Sequence, residues 1–313
     1  MIEEIRHLVA ERLNDLDGVV ALRKSSAGVA PHLFRQGDDL SELEITPRYP
    51  LMTVVSKLHK TFPDVRLGVV ARGCDERAYV EMAKREQINP ARLMIIGFAC
   101  TAEEAQECYC AAPYPQQLVV GTPPPPGPAN PLVARYDAIS PLPGLGEGSG
   151  VRAAISPLPG LGERSGVRAA ISPLPGLGEG SGVRAAMSLD ERRAFWKGQF
   201  VKCIKCYGCR NICPECFCEA CAMEDAAWVE PGVLAPPFPV FHLIRAMHMA
   251  SRCVACRQCE LTCPAHIPLT VLYDLMRRDM ETLLGYVPGA DIAVPPPLSL
   301  TLTDAPLRAS AGH

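Results

Sequence analysis

"KCIKCYGCRNICP" spans residues 202–214, and "RCVACRQCELTCP" spans 252–264. Cys203, Cys206, Cys209 and Cys213 lead into Pro214; Cys253, Cys256, Cys259 and Cys263 lead into Pro264. Both stretches read C-x2-C-x2-C-x3-C-P. Three explanations compete for such a pattern: disulfides, zinc or an iron–sulfur cluster. The chain has 15 cysteines in 313 residues, an odd count in a long chain, which argues against a disulfide framework. Zinc is usually met by paired C-x2-C knuckles, one pair from each side of a tetrahedron, and two triplets with a distal Cys-Pro overfill that scheme.

A cubane cluster needs four thiolates set tetrahedrally around a compact core. Two-residue gaps let one turning loop offer three of them. The fourth cysteine lies farther along, and the proline after it directs the backbone away. In two-cluster ferredoxins that cysteine ligates the other cluster. The expected ligand sets are therefore crossed. Cys203, Cys206, Cys209 and Cys263 hold one [4Fe–4S] cluster, and Cys253, Cys256, Cys259 and Cys213 hold the other.

Working outward, residues 188–287 alternate helical patterns with the two cysteine loops (194–223 and 244–273). "LDERRAFWKGQF" and "PVFHLIRAMHMAS" lead into the loops, and "PLTVLYDLMRRDMETLLG" leaves the second, closed by Gly285. Upstream lies a repeat. "ISPLPGLGEGSGVRAA" occupies 139–154, recurs at 155–170 with Arg164 replacing one glycine, and returns unchanged at 171–186. With the polyproline-like "TPPPPGPANP" at 122–131, this composition cannot bury enough apolar surface to offset the entropy of ordering it. Residues 118–187 are expected to be a disordered Pro/Gly-rich linker, and 288–313 a loose tail.

Residues 1–117 read as an α/β domain. "EEIRHLVAERL" carries Ile5, Leu8, Val9 and Leu13 on one helical face. "GVVALRKSSAGVAPHLFR" reads as two strands about a Ser-Ser-Ala-Gly turn, and "PLMTVVSKLHKTF" as an amphipathic helix opened by proline. "VRLGVVA", "DERAYVEMAKREQ" and "RLMIIGF" make a strand, a crossover helix and a parallel strand.

Seven cysteines lie outside the paired motifs. Cys74 is expected at a helix start, where the macrodipole would favour a thiolate, and Cys100 at the end of the neighbouring strand, where open α/β sheets place ligands. With Cys108 and Cys110 they are candidates for a third [4Fe–4S] cluster; the alternative is buried or incidental thiols. Cys216, Cys218 and Cys221 fit no standard cluster loop and stay unassigned. His242, His248 and His266 flank the loops, either to couple protons or as partly exposed positions. Lys202, Lys205, Arg210, Arg252 and Arg257 either offset cluster charge and offer a docking rim, or are solvated surface.

The forty-position separation of Cys213 and Cys253, with helices beside both loops, resembles the α-helical ferredoxin family found in iron–sulfur subunits of succinate dehydrogenase and heterodisulfide reductase. All eight ligand positions match over about 190–285. "LGVVARGCDERAYVEMAKREQINPARLMIIGFACT", with "KCIKCYGCRNICPECFCEAC" and "FHLIRAMHMASRCVACRQCELTCP", is similar to bacterial relatives of the deazaflavin-reducing hydrogenase and formate dehydrogenase beta subunits. That resemblance implies electron traffic between iron–sulfur clusters and a flavin. The N-terminal region contains neither G-x-G-x-x-G nor G-x4-G-K-S/T.

The expected fold is thus an α/β domain and a mainly α-helical two-cluster ferredoxin domain, joined by the repeat insertion. Formal charge is −3, with 48% hydrophobic and 21% charged residues, which gives no electrostatic reason to expect nucleic acid. The opening "MIEEIRHLVAERLNDLDG" lacks the apolar core of a secretory signal, and no run of eighteen apolar residues suggests membrane insertion, so a cytoplasmic protein is expected. The leading functional expectation is an electron-transfer subunit of an oxidoreductase complex, with hydrogenase, formate dehydrogenase or heterodisulfide-reductase-like partners. The alternatives are a flavin-containing subunit reducing a deazaflavin or similar hydride carrier, and a zinc-binding interaction scaffold.

Overall fold

The computed structural model describes residues 1–137, 188–218, 221 and 240–297. The repeats at 139–186 lie outside the described residues, as does the tail from 298.

The N-terminal region is an α/β layer structure. In chain order it runs α1 (Ile2–Arg12), β1 (Gly18–Ser25), β2 (Gly28–Phe34), β3 (Leu43–Glu44), α2 (Met52–Thr61), β4 (Leu67–Ala71), α3 (Gly73–Ala83), β5 (Leu93–Phe98), α4 (Ala102–Glu107) and β6 (Leu118–Val120). The sheet order is β2-β1-β4-β5-β6, with β3 also paired to β1. The β1–β2 and β1–β3 pairs are antiparallel; β1, β4, β5 and β6 run parallel. Strand β4, Leu-Gly-Val-Val-Ala, is buried throughout because helices cover both faces. Val19, Ala21, Val70, Ile96 and Phe98 meet Ile5 and Val9 of α1 and Leu13 just after it. Val20, Leu22, Leu67, Val69 and Ala71 meet Met52 and Val55 of α2 and Ala78 and Met82 of α3. The period-two alternation of the strands thus feeds two separate cores.

Beyond the sheet come α5 (Pro131–Asp137), α6 (Leu189–Phe200), α7 (Gly208–Asn211), α8 (Val240–Met249), α9 (Gln258–Leu261) and α10 (Leu269–Leu284). Helix α10 ends as expected, with Gly285 at φ 63° and its N–H donating to the Glu281 carbonyl. Phe200, Phe241, Met249, Ile267, Leu269 and Tyr273 close around Cys209 and Cys259 to form this region's core. No helix among the described residues is long and apolar enough to cross a membrane.

Two boundaries move. Within the linker expected over 118–187, Leu118–Val120 pair with β5 and Pro131–Asp137 form α5. The tail expected to be loose from 288 is anchored at its start. Tyr286 is 2% exposed, and the Gly289 N–H donates to the Glu81 carboxylate at 2.7 Å. Pro288 and Gly289 read as tail composition, but the Gly289 backbone N–H satisfies a buried charge on α3.

The two regions are also joined at the second cysteine loop. Val254, 1% exposed, inserts into the α2–α3 core. Arg77 donates to the Val254 carbonyl at 3.2 Å, and Arg85 to the Ser251 carbonyl at 3.2 Å.

Candidate metal centre

The two cysteine loops are near-copies of one backbone. Lys205 and Tyr207 in the first have φ of 54° and 58°; Ala255 and Arg257 in the second have 54° and 59°. None is glycine, so each left-handed residue stores strain that the surrounding structure must hold. The effect is to turn backbone N–H groups inward. Lys205 N–H donates to the Cys203 sulfur at 3.4 Å, and Ala255 N–H donates to the Cys253 sulfur. Concavities of this kind accept anionic groups, iron–sulfur centres among them. Each loop then enters a one-turn helix, α7 or α9, and these two pack on each other.

That packing crosses the distal cysteines. One small cavity is lined by Cys203, Cys206, Cys209 and, from the other loop, Cys263. A second is lined by Cys253, Cys256, Cys259 and, from the first loop, Cys213. Each cavity therefore gathers three sulfur-bearing residues of one motif and the fourth of its partner. Among the described residues, no group of three or more His, Cys, Asp or Glu side chains is gathered closely enough for a single metal ion. A cubane spreads its four sulfurs over four irons rather than converging them on one centre.

Burial opposes the thiolate form of four cysteines, Cys209, Cys253, Cys256 and Cys259. It pushes Cys253 up to about 11, and it raises Cys209, Cys256 and Cys259. Bound metal reverses that preference, because a coordinating thiol is deprotonated outright. Cys213 is the exception. Its hydrogen bond with the Cys216 thiol holds it down, and the same bond holds Cys216 up.

Arg245 was hidden from sequence reasoning. It lies within the apolar pattern of α8, where no residue spacing marks it as part of a site, and it is 5% exposed. Its guanidinium donates to the Cys209 carbonyl at 2.8 Å, bonds the Tyr273 hydroxyl, and lines the second cavity. It favours the thiolates of Cys209, Cys213 and Cys259, from both motifs. One buried cation thus serves both cavities.

Of the cations read from sequence, Arg257 is largely buried. It stacks over Tyr109 at 4.7 Å and bonds the Glu107 carbonyl, so it joins the two regions rather than facing solvent. Arg252 lies 5.0 Å from the Phe217 ring centre. His242 is a correction to the expectation of partial exposure: it is 1% exposed, stacked on Phe200 at 4.7 Å, and burial lowers it to about 4. His248 and His266 are exposed, as sequence suggested.

The N-terminal cysteines partly assemble. Cys74 and Cys100 each lie three residues beyond the register pair Ala71 and Gly97 of β4 and β5, and their charges interact. Cys100 also interacts with Cys110, whereas Cys108 caps α4. Cys74 is not the activated thiol that its helix position suggested. Burial pushes it up to about 12, with Asp75 adding to the effect, and outweighs the helix terminus. The cause is tertiary: a Cβ on Gly73 would stand 2.4 Å from the Tyr114 carbonyl, so the 112–114 backbone lies directly on the start of α3.

The same contact bears on the flavin. In an open α/β sheet a cofactor phosphate sits at a helix N-terminus such as that of α3. Here the Ala112 and Tyr114 carbonyls cover that position, and Asp75 accepts from the Arg72 N–H. A phosphate does not fit there.

No protein-family model matches the chain. It is similar to the F420-dependent formate dehydrogenase subunit beta of Methanocaldococcus jannaschii, 43% identical over 101 residues, 32% of this chain and 27% of that protein. It is also similar to the F420-dependent formate dehydrogenase 1 subunit beta of Methanococcus maripaludis, 45% identical over 103 residues, 33% of this chain and 26% of that protein. The matched segments thus span about a quarter of the length of these relatives and a third of this chain.

Proposed function

We propose that the chain is an iron–sulfur electron-transfer subunit of an oxidoreductase complex, holding two [4Fe–4S] clusters with crossed ligation. The observation that carries this reading is the pair of cavities, each lined by three cysteines of one loop and the distal cysteine of the other. Bound clusters would supply one-electron carriers whose potentials depend on charge, hydrogen bonds and solvent access. The chain's own residues govern those three quantities. The inward N–H groups of Lys205 and Ala255 stabilise sulfur charge. Arg245 offsets it from a buried position, and Phe241, Ile267 and Tyr273 keep water away. Crossing the distal cysteines also fixes the two centres close together, as fast electron hopping requires.

Cys74, Cys100, Cys108 and Cys110 are proposed as a third cluster site. Its support is the proximity of Cys74, Cys100 and Cys110, and an interaction between Cys74 and Cys256 that sets this group beside the second cavity. The proposed partners are other subunits of a complex of the formate dehydrogenase or hydrogenase kind, by similarity to relatives named as formate dehydrogenase beta subunits.

Metal, sulfide and flavin analysis of the full chain purified without oxygen tests this reading. Iron and acid-labile sulfide in equal amounts, at least about eight of each per chain, are expected. Zinc in place of iron would establish the scaffold reading, and flavin released on denaturation would establish the hydride-carrier reading.

A further inference from the structure

We propose that Cys216, Cys218 and Cys221 form a further metal site, one that takes a [4Fe–4S] cluster on three thiolates and turns its fourth iron toward an adjoining cavity. The two loops share left-handed residues and a one-turn helix at corresponding positions ahead of Cys213 and Cys263, and then diverge in chemistry. Where the first loop has Cys216, Cys218 and Cys221, the second has His266, Pro268 and Val271. The added thiols are therefore not required to build a cluster loop of this design. They need another explanation.

The structure puts all three on one surface. They line a cavity of about 730 Å³ between α2 of the sheet domain and α8 of the helical domain. Among the described residues its wall carries the cationic side chains Lys57, Lys60, Arg210, Arg245 and Arg252 and the carboxyl of Glu215. Three thiolates around an iron–sulfur core leave a net negative charge, which this lining offsets. Sulfur-only ligation selects soft centres: iron–sulfur, zinc or cuprous copper. What favours iron–sulfur is the neighbour. Cys213 lines both this cavity and the one holding Cys253, Cys256 and Cys259, and its sulfur shares a hydrogen bond with Cys216. A centre here is one residue from the second cluster site, close enough to exchange single electrons, one centre oxidised as the other is reduced, with no bond made or broken. Three ligands leave one iron position for a small molecule or a partner's side chain entering the cavity, as open catalytic metal sites do. The electron route rests on the two-cluster reading above; the site itself does not.

The test compares iron and sulfide content and the reduced-state electron paramagnetic resonance spectrum of the anaerobically purified full chain with those of the Cys216→Ser/Cys218→Ser/Cys221→Ser variant. A loss of about four irons and four sulfides, with the iron of the paired motifs retained, is expected. Unchanged iron, loss of zinc instead, or a disulfide among the three residues in the parent protein overturns the proposal. Should the triple variant fail to fold, Cys218→Ser replaces a single exposed thiol and is expected to remove the same spectral component; an unchanged spectrum counts against the site. Cys253→Ser separates the two readings, because it should remove the second-cavity component while leaving this one. A parent protein without any iron overturns both.

Discussion

Arg245 donates to the carbonyl of Cys209 at 2.8 Å, so a cation on the helix entering the second loop is fastened to the backbone of the first. Its charge interacts with cysteines of both motifs. A buried positive charge favours the reduced, more negative form of a nearby cluster. Arg245→Met should therefore lower the reduction potentials, by on the order of 60 mV, the one-electron equivalent of a tenfold change in equilibrium. Potentiometric titration followed by electron paramagnetic resonance reads this directly. Unchanged potentials with full iron content would remove Arg245 from the electrostatic account.

The domain junction has its own buried charge. Glu81 is 0% exposed and accepts from Lys84 at 3.0 Å, Arg85 at 2.5 Å, the Tyr286 hydroxyl at 2.8 Å and the Gly289 N–H at 2.7 Å. Burial works to raise its pKa, but the hydrogen bonds from Arg85, Gly289, Tyr286 and Lys84 win and hold it below the usual carboxylate value. A depressed folded-state pKa contributes stability that is present above the ordinary carboxylate range and lost as pH falls through the folded value. Glu81→Gln should cost about 3–5 kcal/mol at neutral pH, because it strands Lys84 and Arg85 without their counter-charge. The difference from the parent protein should shrink as the solution is acidified below pH 4.5. Urea denaturation across that range checks both sign and size; a pH-independent difference would contradict the linkage.

The N-terminal group predicts a separate stoichiometry. Substituting Cys74, Cys100, Cys108 and Cys110 with serine should remove about four irons while the spectra of the paired motifs persist. Iron retained in full would return these four to the status of buried thiols.

Much of this architecture is legible in the sequence because it depends on local pattern. The two stretches about the Ser-Ser-Ala-Gly turn, the apolar run "LGVVA" and the helical faces of α1 and α2 each name their element, and the structure has them as read. The Cys-Pro endings raise the expectation of crossed ligand sets, and the observation that supports proposing them is that each cavity is lined by cysteines of both motifs. What escaped depends on tertiary neighbours. Lys205, Tyr207, Ala255 and Arg257 adopt left-handed backbone without the glycine that usually signals it, because the loop imposes the conformation on whatever residue is there. Arg245 carries no sequence signal of its position, which arises only when α8 docks on both loops. Cys74 reads as an activated thiol until the 112–114 backbone covers the start of its helix. The anchoring of Gly289 requires a buried glutamate 208 residues earlier, which no window of sequence contains.

Crossed ligation is the claim on which the rest depends, and one pair of variants tests it. Cys213→Ala and Cys263→Ala are each purified without oxygen, and their iron content and electron paramagnetic resonance spectra are compared with those of Cys206→Ala and Cys256→Ala, which mark the two centres. The account predicts that Cys213→Ala reproduces the spectral loss of Cys256→Ala, and that Cys263→Ala reproduces that of Cys206→Ala. The opposite pairing, with each distal variant damaging the cluster of its own loop, would contradict it.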